Sequence, residues 1–212
     1  VPGKIMESVI KDAILEHLLN NNCILASQHD FLPGRSCTTN LIEYMNEITK
    51  AIDDDLSYDV ILCDFQKAFD KVPFNSMLVK TEAHGVRGEL LRWIADWTKD
   101  RRQRVVLNGT ESTWEKVTSS VVQGSVLGPI LFTMYINDLD LAIKQNDSDI
   151  LVSKYADDTK LGREIAEVSD CSRLQDAANH LVNWCNEWGM ALHPQKCVVL
   201  HFGRKNPMHT YH

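Results

Sequence analysis

The chain alternates between stretches with the 3.6-residue apolar period of helices and short apolar runs of strand length. Polar residues, glycines and prolines separate these stretches and mark where each element begins or ends. The helical period predicts six helices: residues 4–19; a segment capped by Ser36; Pro73 to about Ala83; GELLRWIADWTK; one long helix PILFTMYINDLDLAIKQ; and a helix capped by Ser169 or Asp170 and ended by Gly189.

The predicted strands differ in how deeply they should be buried. YDVILCDF is a continuous apolar run ending on Asp64, which is typical of a central strand covered on both faces. The segment RQRVVLNGTESTWEKVTSS predicts a hairpin that turns near Asn108 and Gly109. The segment KCVVLHFG predicts a final strand. We find no internal repeat or linker, so one α+β domain with antiparallel pairing is the simplest architecture.

Composition narrows the class of protein. The 212 residues are 44% hydrophobic, enough for a buried core, and contain no apolar run long enough to span a membrane. The six cysteines form no C-x-x-C pair, which favours reduced thiols in the nucleus or cytoplasm rather than secretion. Because the chain begins in mid-pattern without Met, we expect it to be a piece of a longer protein.

Charge alone argues against a nucleic-acid partner. The formal net charge is -7, whereas affinity for a phosphate backbone comes mainly from clustered Lys and Arg. The one dense basic run is KDRRQR, from Lys99 to Arg104, and it leads into the predicted hairpin. Taken alone, that run is better explained as a solvated hairpin edge guarded by charge.

Three carboxylates carry the candidate chemistry. Asp157 and Asp158 lie side by side in KYADDTKL, where a solvated hairpin tip is the simplest explanation. Asp64 argues against that explanation. It lies at the end of a strongly apolar run, and a carboxylate near the core is costly to leave unpaired. Mg²⁺ prefers such hard oxygen ligands, and two ions would promote in-line phosphoryl transfer. Nucleotidyl transfer and phosphodiester cleavage both remain open.

Two further segments could approach a ligand. VVQGSVLGP joins a strand-like stretch to a helix start through small residues, although an ordinary glycine loop has the same composition. Phe69 follows Asp64 by five residues, and an aromatic ring at helical or turn spacing is usually part of the core.

The ordered segments SQHDFLPGRSCTTNLI, LCDFQKAFDKVPF, QGSVLGPILFTMYINDL, KYADDTKL and LVNWCNEWGMALHPQKCVVLHFG together resemble the reverse transcriptases of non-LTR, LINE-type, jockey-like retrotransposons. The resemblance covers essentially the whole chain. It implies an α+β reverse-transcriptase palm, an antiparallel sheet backed by helices, with partial fingers. Residues 1–56 would belong to the fingers and their junction with the palm, and residues 57–212 to the palm with inserted fingers-side elements.

The resemblance also implies a role for each matching residue. Asp64, Asp157 and Asp158 would hold two Mg²⁺ ions, with Mn²⁺ as an alternative, and the Phe65 carbonyl would lie beside them. Lys196 would protonate the leaving pyrophosphate. The other positions form two groups: nucleotide-binding residues Phe69, Gln123, Gly124 and Arg35, with Phe69 excluding a ribose 2′-hydroxyl; and primer-proximal residues Tyr155 and Ala156.

The sequence departs from the family pattern at several positions. Val122 stands where Pro usually precedes the Gln, Asp30 where Gly is usual, Phe74 where His is common, and His193-Pro194 where Asn is usual. The upstream fingers strands, the thumb and an endonuclease domain have no counterpart in these residues.

The expected function is RNA-directed DNA synthesis from dNTPs on a primed RNA or DNA template, with no membrane partner. One alternative is a catalytically silent relic or co-opted piece that binds nucleic acid or protein. A two-metal nuclease would use the same acids but would leave Phe69 and the Gln123 loop unexplained.

Overall fold

A computed structural model describes residues 2–145 and 147–212 of the chain. Helices and short strands alternate along the sequence, as the apolar periods predict. The helices are α1 (Pro2–Asn20), α2 (Cys37–Asp53), α3 (Ala68–Lys71), α4 (Phe74–Ala83), α5 (Gly88–Thr98), α6 (Gly128–Ile136), α7 (Leu139–Lys144) and α8 (Val168–Trp188). The strands are β1 (Ser57–Cys63), β2 (Arg102–Gln103), β3 (Val106–Leu107), β4 (Thr110–Glu111), β5 (Glu115–Lys116), β6 (Leu151–Tyr155), β7 (Asp158–Ile165) and β8 (Val198–Phe202).

A four-stranded antiparallel sheet has the strand order β6-β7-β1-β8. Strand β1 lies between β7 and β8, so its backbone is paired on both sides, and most of its residues are buried. The continuous apolar run that predicts a central strand is therefore confirmed, as is the α+β class with antiparallel pairing.

The chain divides into two compact units, each built from two separate stretches of sequence. The first comprises residues 1–23 and 69–135, and the second comprises residues 24–68 and 136–212. The second unit contains the four-stranded sheet. Its core includes Tyr44 and Ile48 of α2, which pack against Tyr58 and Val60 of β1.

The first unit contains α1, α4, α5, most of α6 and two small hairpins. Helices α4 and α5 pack against each other. The hairpin of β3 and β4 turns at Asn108 and Gly109, whose φ angles of 50° and 78° are the pair that a type I′ turn requires. The predicted turn is confirmed, although each strand is only two residues long. Across the described residues, no helix has the length and apolarity needed to cross a membrane.

The predicted long helix from Pro129 is wrong, because α6 ends at Ile136 and α7 begins at Leu139. The Lys154 ammonium group donates to the carbonyls of Ile136 (3.3 Å) and Asn137 (3.5 Å). It therefore competes for the carbonyls that a continuous helix would pair internally.

The predicted N-cap residue of α8, Ser169 or Asp170, is also wrong. Helix α8 begins after Glu167, whose side chain accepts the backbone N–H of Asp170 while the Asp170 carboxylate accepts the N–H of Glu167. This reciprocal pair is a capping box, in which Asp170 occupies the third helical position rather than the cap.

Candidate active site

Two of the predicted acids are brought together by strand register. The last residue of β1, Cys63, pairs with Thr159 of β7. Asp64 directly follows Cys63 and Asp158 directly precedes Thr159, so the two acids occupy the next opposed positions of this antiparallel pair. Opposed positions direct their side chains to the same face of a sheet. Asp64 and Asp158 accordingly line one cavity of about 240 Å³.

The third acid lies in the turn between β6 and β7. Tyr155 pairs with Asp158, so Ala156 and Asp157 form a two-residue hairpin loop. Ala156 has a positive φ of 52° whereas Asp157 does not have a positive φ, as in a type II′ turn rather than a type I′ turn. Tyr155 is half-buried, Ala156 buried and Asp157 half-buried.

Asp157 experiences the charges of the neighbouring acids. Its pKa is raised above the ordinary value, mainly because burial disfavours the charged form, and the negative charges of Asp158, Asp64 and Asp30 add to the shift. A hydrogen bond from its own backbone opposes the rise. The negative charges of Asp64 and Asp158 therefore act on the Asp157 carboxyl.

The Lys196 side chain lies close to Asp64. The Lys196 ammonium is 3.6 Å from the Asp64 Oδ2 atom, and both residues line the same cavity. That separation is an ion-pair distance but too long for a hydrogen bond. Among the described residues, Asp64 Oδ2 is a buried oxygen without a hydrogen-bond partner. Such an oxygen is costly to leave unsatisfied and is suited to a ligand.

These residues fit a magnesium ion. Mg²⁺ is usually held by one or two carboxylates, with waters and substrate phosphates completing its coordination. Asp64 and Asp158 supply two carboxylates at one cavity, and Asp64 Oδ2 is unsatisfied. Within residues 2–145 and 147–212, no three His, Cys, Asp or Glu side chains form a ready-made metal site. The participation of Asp157 in metal binding stays a prediction.

Phe65 continues the backbone beside Asp64. It forms an antiparallel bridge with Leu192, in which the Asp64 carbonyl accepts the His193 N–H (2.8 Å) and the Gln66 N–H donates to Ala191 (2.7 Å). The Phe65 carbonyl takes no part in this bridge. Its predicted place beside the metal stays a prediction.

Arg35 lies in the loop before α2. It is exposed, and its guanidinium is 3.4 Å from the His29 imidazole, which in turn pairs with Glu43. The residues lining the acidic cavity come from β1, β7 and Lys196. The structure therefore does not place Arg35 in that cavity, and its nucleotide-binding role stays a prediction.

The other predicted nucleotide-binding residues meet in the first unit. Phe69, Gln123 and Gly124 line one cavity of about 370 Å³. Phe69 stacks on Phe132 with ring centroids 4.2 Å apart, and the Gln123 amide donates to Asp70 Oδ1 at 2.8 Å. The loop and the phenylalanine thus form one surface.

Gly124 lets the loop of this surface turn. Its φ is 75°, and a Cβ atom at that position would meet no other atom within 4 Å. The space is open, so the glycine is required by the backbone angle rather than by crowding.

Two further residues of the second unit, Lys160 and Gln28, contact the candidate site and are not among the residues predicted from the sequence. Lys160 lines the acidic cavity, and burial lowers its pKa while the charge of Asp158 raises it. It lies two residues after Asp158 in β7, so strand alternation could have placed both on one face. Gln28 contacts the backbone of Ala156 from 128 residues away, and no local pattern indicates that contact.

The sequence profile of the chain identifies its family. Residues 1–210 match the sequence profile of the family described as "Reverse transcriptase (RNA-dependent DNA polymerase)", and the chain belongs to that family. Its curated relatives are retrotransposon proteins, which confirms the resemblance to the jockey-like group.

Two relatives from Drosophila melanogaster show the extent of the match. The "RNA-directed DNA polymerase from mobile element jockey" is 25% identical over 207 residues, covering 96% of this chain and 22% of the relative. The "Probable RNA-directed DNA polymerase from transposon BS" is 26% identical over 206 residues, covering 92% and 22%. The chain therefore spans about a fifth of the length of these relatives.

Similar solved structures are telomerases. Apo telomerase from Candida tropicalis has a TM-score of 0.69 at 10% identity, covering 94% of this chain and 37% of that one. Telomerase from Candida albicans, solved in complex with a fragment of telomeric RNA, has a TM-score of 0.68 at 11% identity, covering 98% and 35%. At these identities the likeness establishes the reverse-transcriptase fold alone.

Proposed function

We propose that this chain is the catalytic part of an RNA-directed DNA polymerase. The reaction is attack of a primer 3′-hydroxyl on the α-phosphate of a dNTP paired with an RNA or DNA template, with release of pyrophosphate. The observation that carries this proposal is the shared cavity of Asp64 and Asp158 at adjoining strand ends, with Lys196 beside them.

The acids are assigned to metal binding. Asp64, Asp157 and Asp158 would hold two Mg²⁺ ions, or Mn²⁺ in their place, with the Phe65 carbonyl as a further oxygen ligand. When bound, the ions would favour ionisation of the primer hydroxyl and neutralise charge on the phosphates. The buried Asp64 Oδ2 atom, which has no hydrogen-bond partner in the described part of the chain, supports this assignment.

Lys196 is assigned to the leaving group. Its ammonium lies 3.6 Å from Asp64, and its side chain is 63% exposed, so it can reach a triphosphate in the cavity. A positive charge there attracts the triphosphate, and proton donation from the ammonium would stabilise the departing pyrophosphate.

The surface of the first unit is assigned to the incoming nucleotide. Phe69 offers an apolar ring to the sugar, and the Gln123–Gly124 backbone is open enough for close approach. Arg35 is assigned a supporting role in nucleotide binding. Tyr155 and Ala156, in the acidic hairpin, would lie against the primer end.

The proposed activity also sets the domain labels and the compartment. We assign residues 1–56 to the fingers and their junction with the palm, and residues 57–212 to the palm with inserted fingers-side elements. Template, primer and dNTPs are found in the nucleus and cytoplasm, so we propose an intracellular location.

A second candidate function is that of a catalytically silent piece that binds nucleic acid or protein without polymerising. The observation that favours it is that, within the described residues, no three His, Cys, Asp or Glu side chains lie close enough together to hold a metal ion. The two candidates share a fold and differ in chemistry.

Single-nucleotide extension of a primer on an RNA template, with the chain in excess and Mn²⁺ present, separates them. We expect incorporation by the unaltered chain and a loss of about a hundredfold or more in Asp64→Asn and Asp158→Asn. Asp176→Asn, which changes an exposed acid of the same unit, should stay within about twofold. Equal activity in all three variants would refute the polymerase proposal, and primer-template binding without any incorporation would favour the silent piece.

A further inference from the structure

A buried glutamine holds the turn that carries Asp157 and Asp158. Gln28 is 1% exposed, and its side-chain amide contacts both backbone polar groups of Ala156. The Ala156 N–H donates to Gln28 Oε1 at 3.2 Å, and Gln28 Nε2 donates to the Ala156 carbonyl at 3.4 Å. One side chain thus pairs with one loop residue as a neighbouring strand would.

The orientation of the Gln28 amide is fixed by a third contact. Its Oε1 atom also accepts the backbone N–H of Asp30 at 3.0 Å. Both contacts to Oε1 come from N–H donors, so this atom must be the oxygen and the nitrogen must face the Ala156 carbonyl. The flipped amide would place a donor against two donors. Only a side chain with an acceptor and a donor side by side satisfies all three groups.

The backbone around Gln28 supports the same geometry. Gln28 forms a parallel bridge with Lys154, through Lys154 N–H to Ser27 O (2.8 Å) and His29 N–H to Lys154 O (2.9 Å). Segment 27–29 therefore extends the sheet beyond β6, and the Gln28 side chain continues this pairing around the turn.

Ala156 adopts a backbone conformation that is unfavourable for an L-residue with a Cβ atom. Its φ of 52° lies in the left-handed region, which L-residues other than glycine, asparagine and aspartate seldom adopt. The direction of the next two residues depends on that angle, because Asp157 and Asp158 follow Ala156 directly. A change of φ at Ala156 would therefore move both carboxylates.

We propose that Gln28 is a positioning residue that fixes the backbone of Ala156 and thereby the placement of Asp157 and Asp158 at the candidate metal site. Its effect on metal binding rests on the proposed function. Its effect on the turn does not, which allows the two to be tested separately.

The test compares Gln28→Met with a matched control, Asn137→Leu, at a temperature where both are folded. Methionine keeps the length of the glutamine and removes its hydrogen bonds. Asn137 also has a buried amide side chain that holds the same segment, since its Oδ1 accepts the Leu25 N–H at 2.9 Å. It makes that contact three residues before Gln28, so it controls for general loosening of the segment.

Two measurements are made on each variant: amide hydrogen exchange at Ala156 by NMR, and the affinity for Mn²⁺ by electron paramagnetic resonance. We expect Gln28→Met to speed exchange at Ala156 by about tenfold relative to Asn137→Leu and to weaken Mn²⁺ binding by a similar factor. Asn137→Leu should leave Mn²⁺ affinity within about threefold. Equal exchange at Ala156 in the two variants would overturn the proposal.

The outcomes separate this role from the proposed function. If the unaltered chain binds no Mn²⁺, the metal site fails, and the exchange rate at Ala156 alone decides the role of Gln28. If Mn²⁺ binds and both variants lose affinity equally, Gln28 is only a structural residue. Should Gln28→Met not fold, Gln28→Asn takes its place, because Asn keeps the amide but is one methylene too short to make the same contacts to Ala156. Gln28→Asn should then speed exchange at Ala156 relative to Asn137→Leu, and equal exchange in these two variants would overturn the proposal.

Discussion

At the scale of one residue, Asp157 illustrates how a cluster of carboxylates lowers the stability of the folded chain. Burial and the charges of Asp158, Asp64 and Asp30 raise its pKa in the folded chain. The folded state therefore binds this proton more tightly than the unfolded state does. The resulting penalty on stability is absent below the unfolded pKa of about 3.9 and fully present above the raised folded pKa.

We accordingly expect Asp157→Asn to stabilise the metal-free chain at pH 7. The melting temperature should rise by about 2 °C, because the substitution removes a charge that burial and the neighbouring acids disfavour, and solvent screening at this half-buried group keeps the effect small. The gain should vanish when calorimetry is repeated near pH 3.5. Asp176→Asn serves as the control, and a fall in melting temperature for Asp157→Asn at pH 7 would contradict the electrostatic account.

Phe69 supplies the second prediction at this scale. If its ring lies beneath the sugar of the incoming nucleotide, a 2′-hydroxyl would collide with it or be buried unpaired, at a cost of about 1 to 3 kcal/mol. Phe69→Val should reduce the preference for a dNTP over its rNTP by about ten- to a hundredfold in single-nucleotide extension.

Phe74→Val is the matched control for Phe69→Val, because both phenylalanines are half-buried in the first unit. It should lower stability without changing sugar preference. An active Phe69→Val variant with unaltered discrimination would assign this ring to packing on Phe132 alone.

At the scale of elements, a buried ion pair links β6 to α7. Lys154 of β6 is fully buried, and its ammonium pairs with Asp140 of α7. Burial lowers the pKa of Lys154, and the Asp140 carboxylate opposes that shift. Removing the acid would leave a buried cation without its counter-charge.

We expect Asp140→Asn to destabilise the chain by about 3 kcal/mol at pH 7 in urea unfolding. Loss of the Asp140 charge should lower the pKa of Lys154 in the folded variant further below its unfolded value. Between these two pKa values the unfolded state binds more protons than the folded state, so the free energy of unfolding of the variant should recover as pH rises toward 10.5. Asp55→Asn, at the exposed pair with Lys205, should change stability by less than about 0.5 kcal/mol. A deficit that stays constant from pH 7 to 10 would show that Lys154 is not the cause.

Elements with local signals could be predicted from the sequence, and those set by distant contacts could not. The Ser36 cap is a capping box with Thr39, and the Asn108–Gly109 turn follows from two residues that tolerate positive φ. The break between α6 and α7 has no local signal, because the buried Lys154 that competes for the helix carbonyls lies about seventeen residues later. The contact of Gln28 with Ala156 likewise joins residues that are distant in sequence.

The residues of the candidate site likewise differ in whether the sequence alone could predict their placement. Asp64 and Asp158 could be paired from sequence because each lies at the end of an apolar strand, and the register of β1 and β7 places them at opposed positions. The closeness of Lys196 to Asp64 was implied by family resemblance alone. It results from the bridge of Phe65 with Leu192, which local patterns do not reveal.

At the scale of the whole molecule, charge limits nucleic-acid affinity. The chain carries 22 basic and 29 acidic side chains, and its densest basic run is Lys99 to Arg104. Within that run Arg101 lies over the Trp97 ring, and Arg104 pairs with Glu111. Few cations of this run therefore remain available for phosphates.

We expect the chain to bind a primer-template with a dissociation constant in the micromolar range or weaker, and the affinity to fall steeply with salt. Arg102→Gln should reduce the slope of log affinity against log salt by about 1, measured by fluorescence anisotropy. Lys4→Gln, another exposed site in the first unit, is the control. Nanomolar binding that is insensitive to salt would show that charge is not the limiting factor.

The central claim is that Asp64 and the Asp157–Asp158 turn bind the same metal. Fe²⁺ with ascorbate and peroxide tests it most directly, because iron bound in place of Mg²⁺ generates hydroxyl radicals that cleave the polypeptide beside the metal. Mass spectrometry should find cuts near residue 64 and near residues 157–158 together, both suppressed by excess Mg²⁺ and both lost in Asp64→Asn. Cuts at one of these segments without the other, or cuts that persist in Asp64→Asn, would contradict the account.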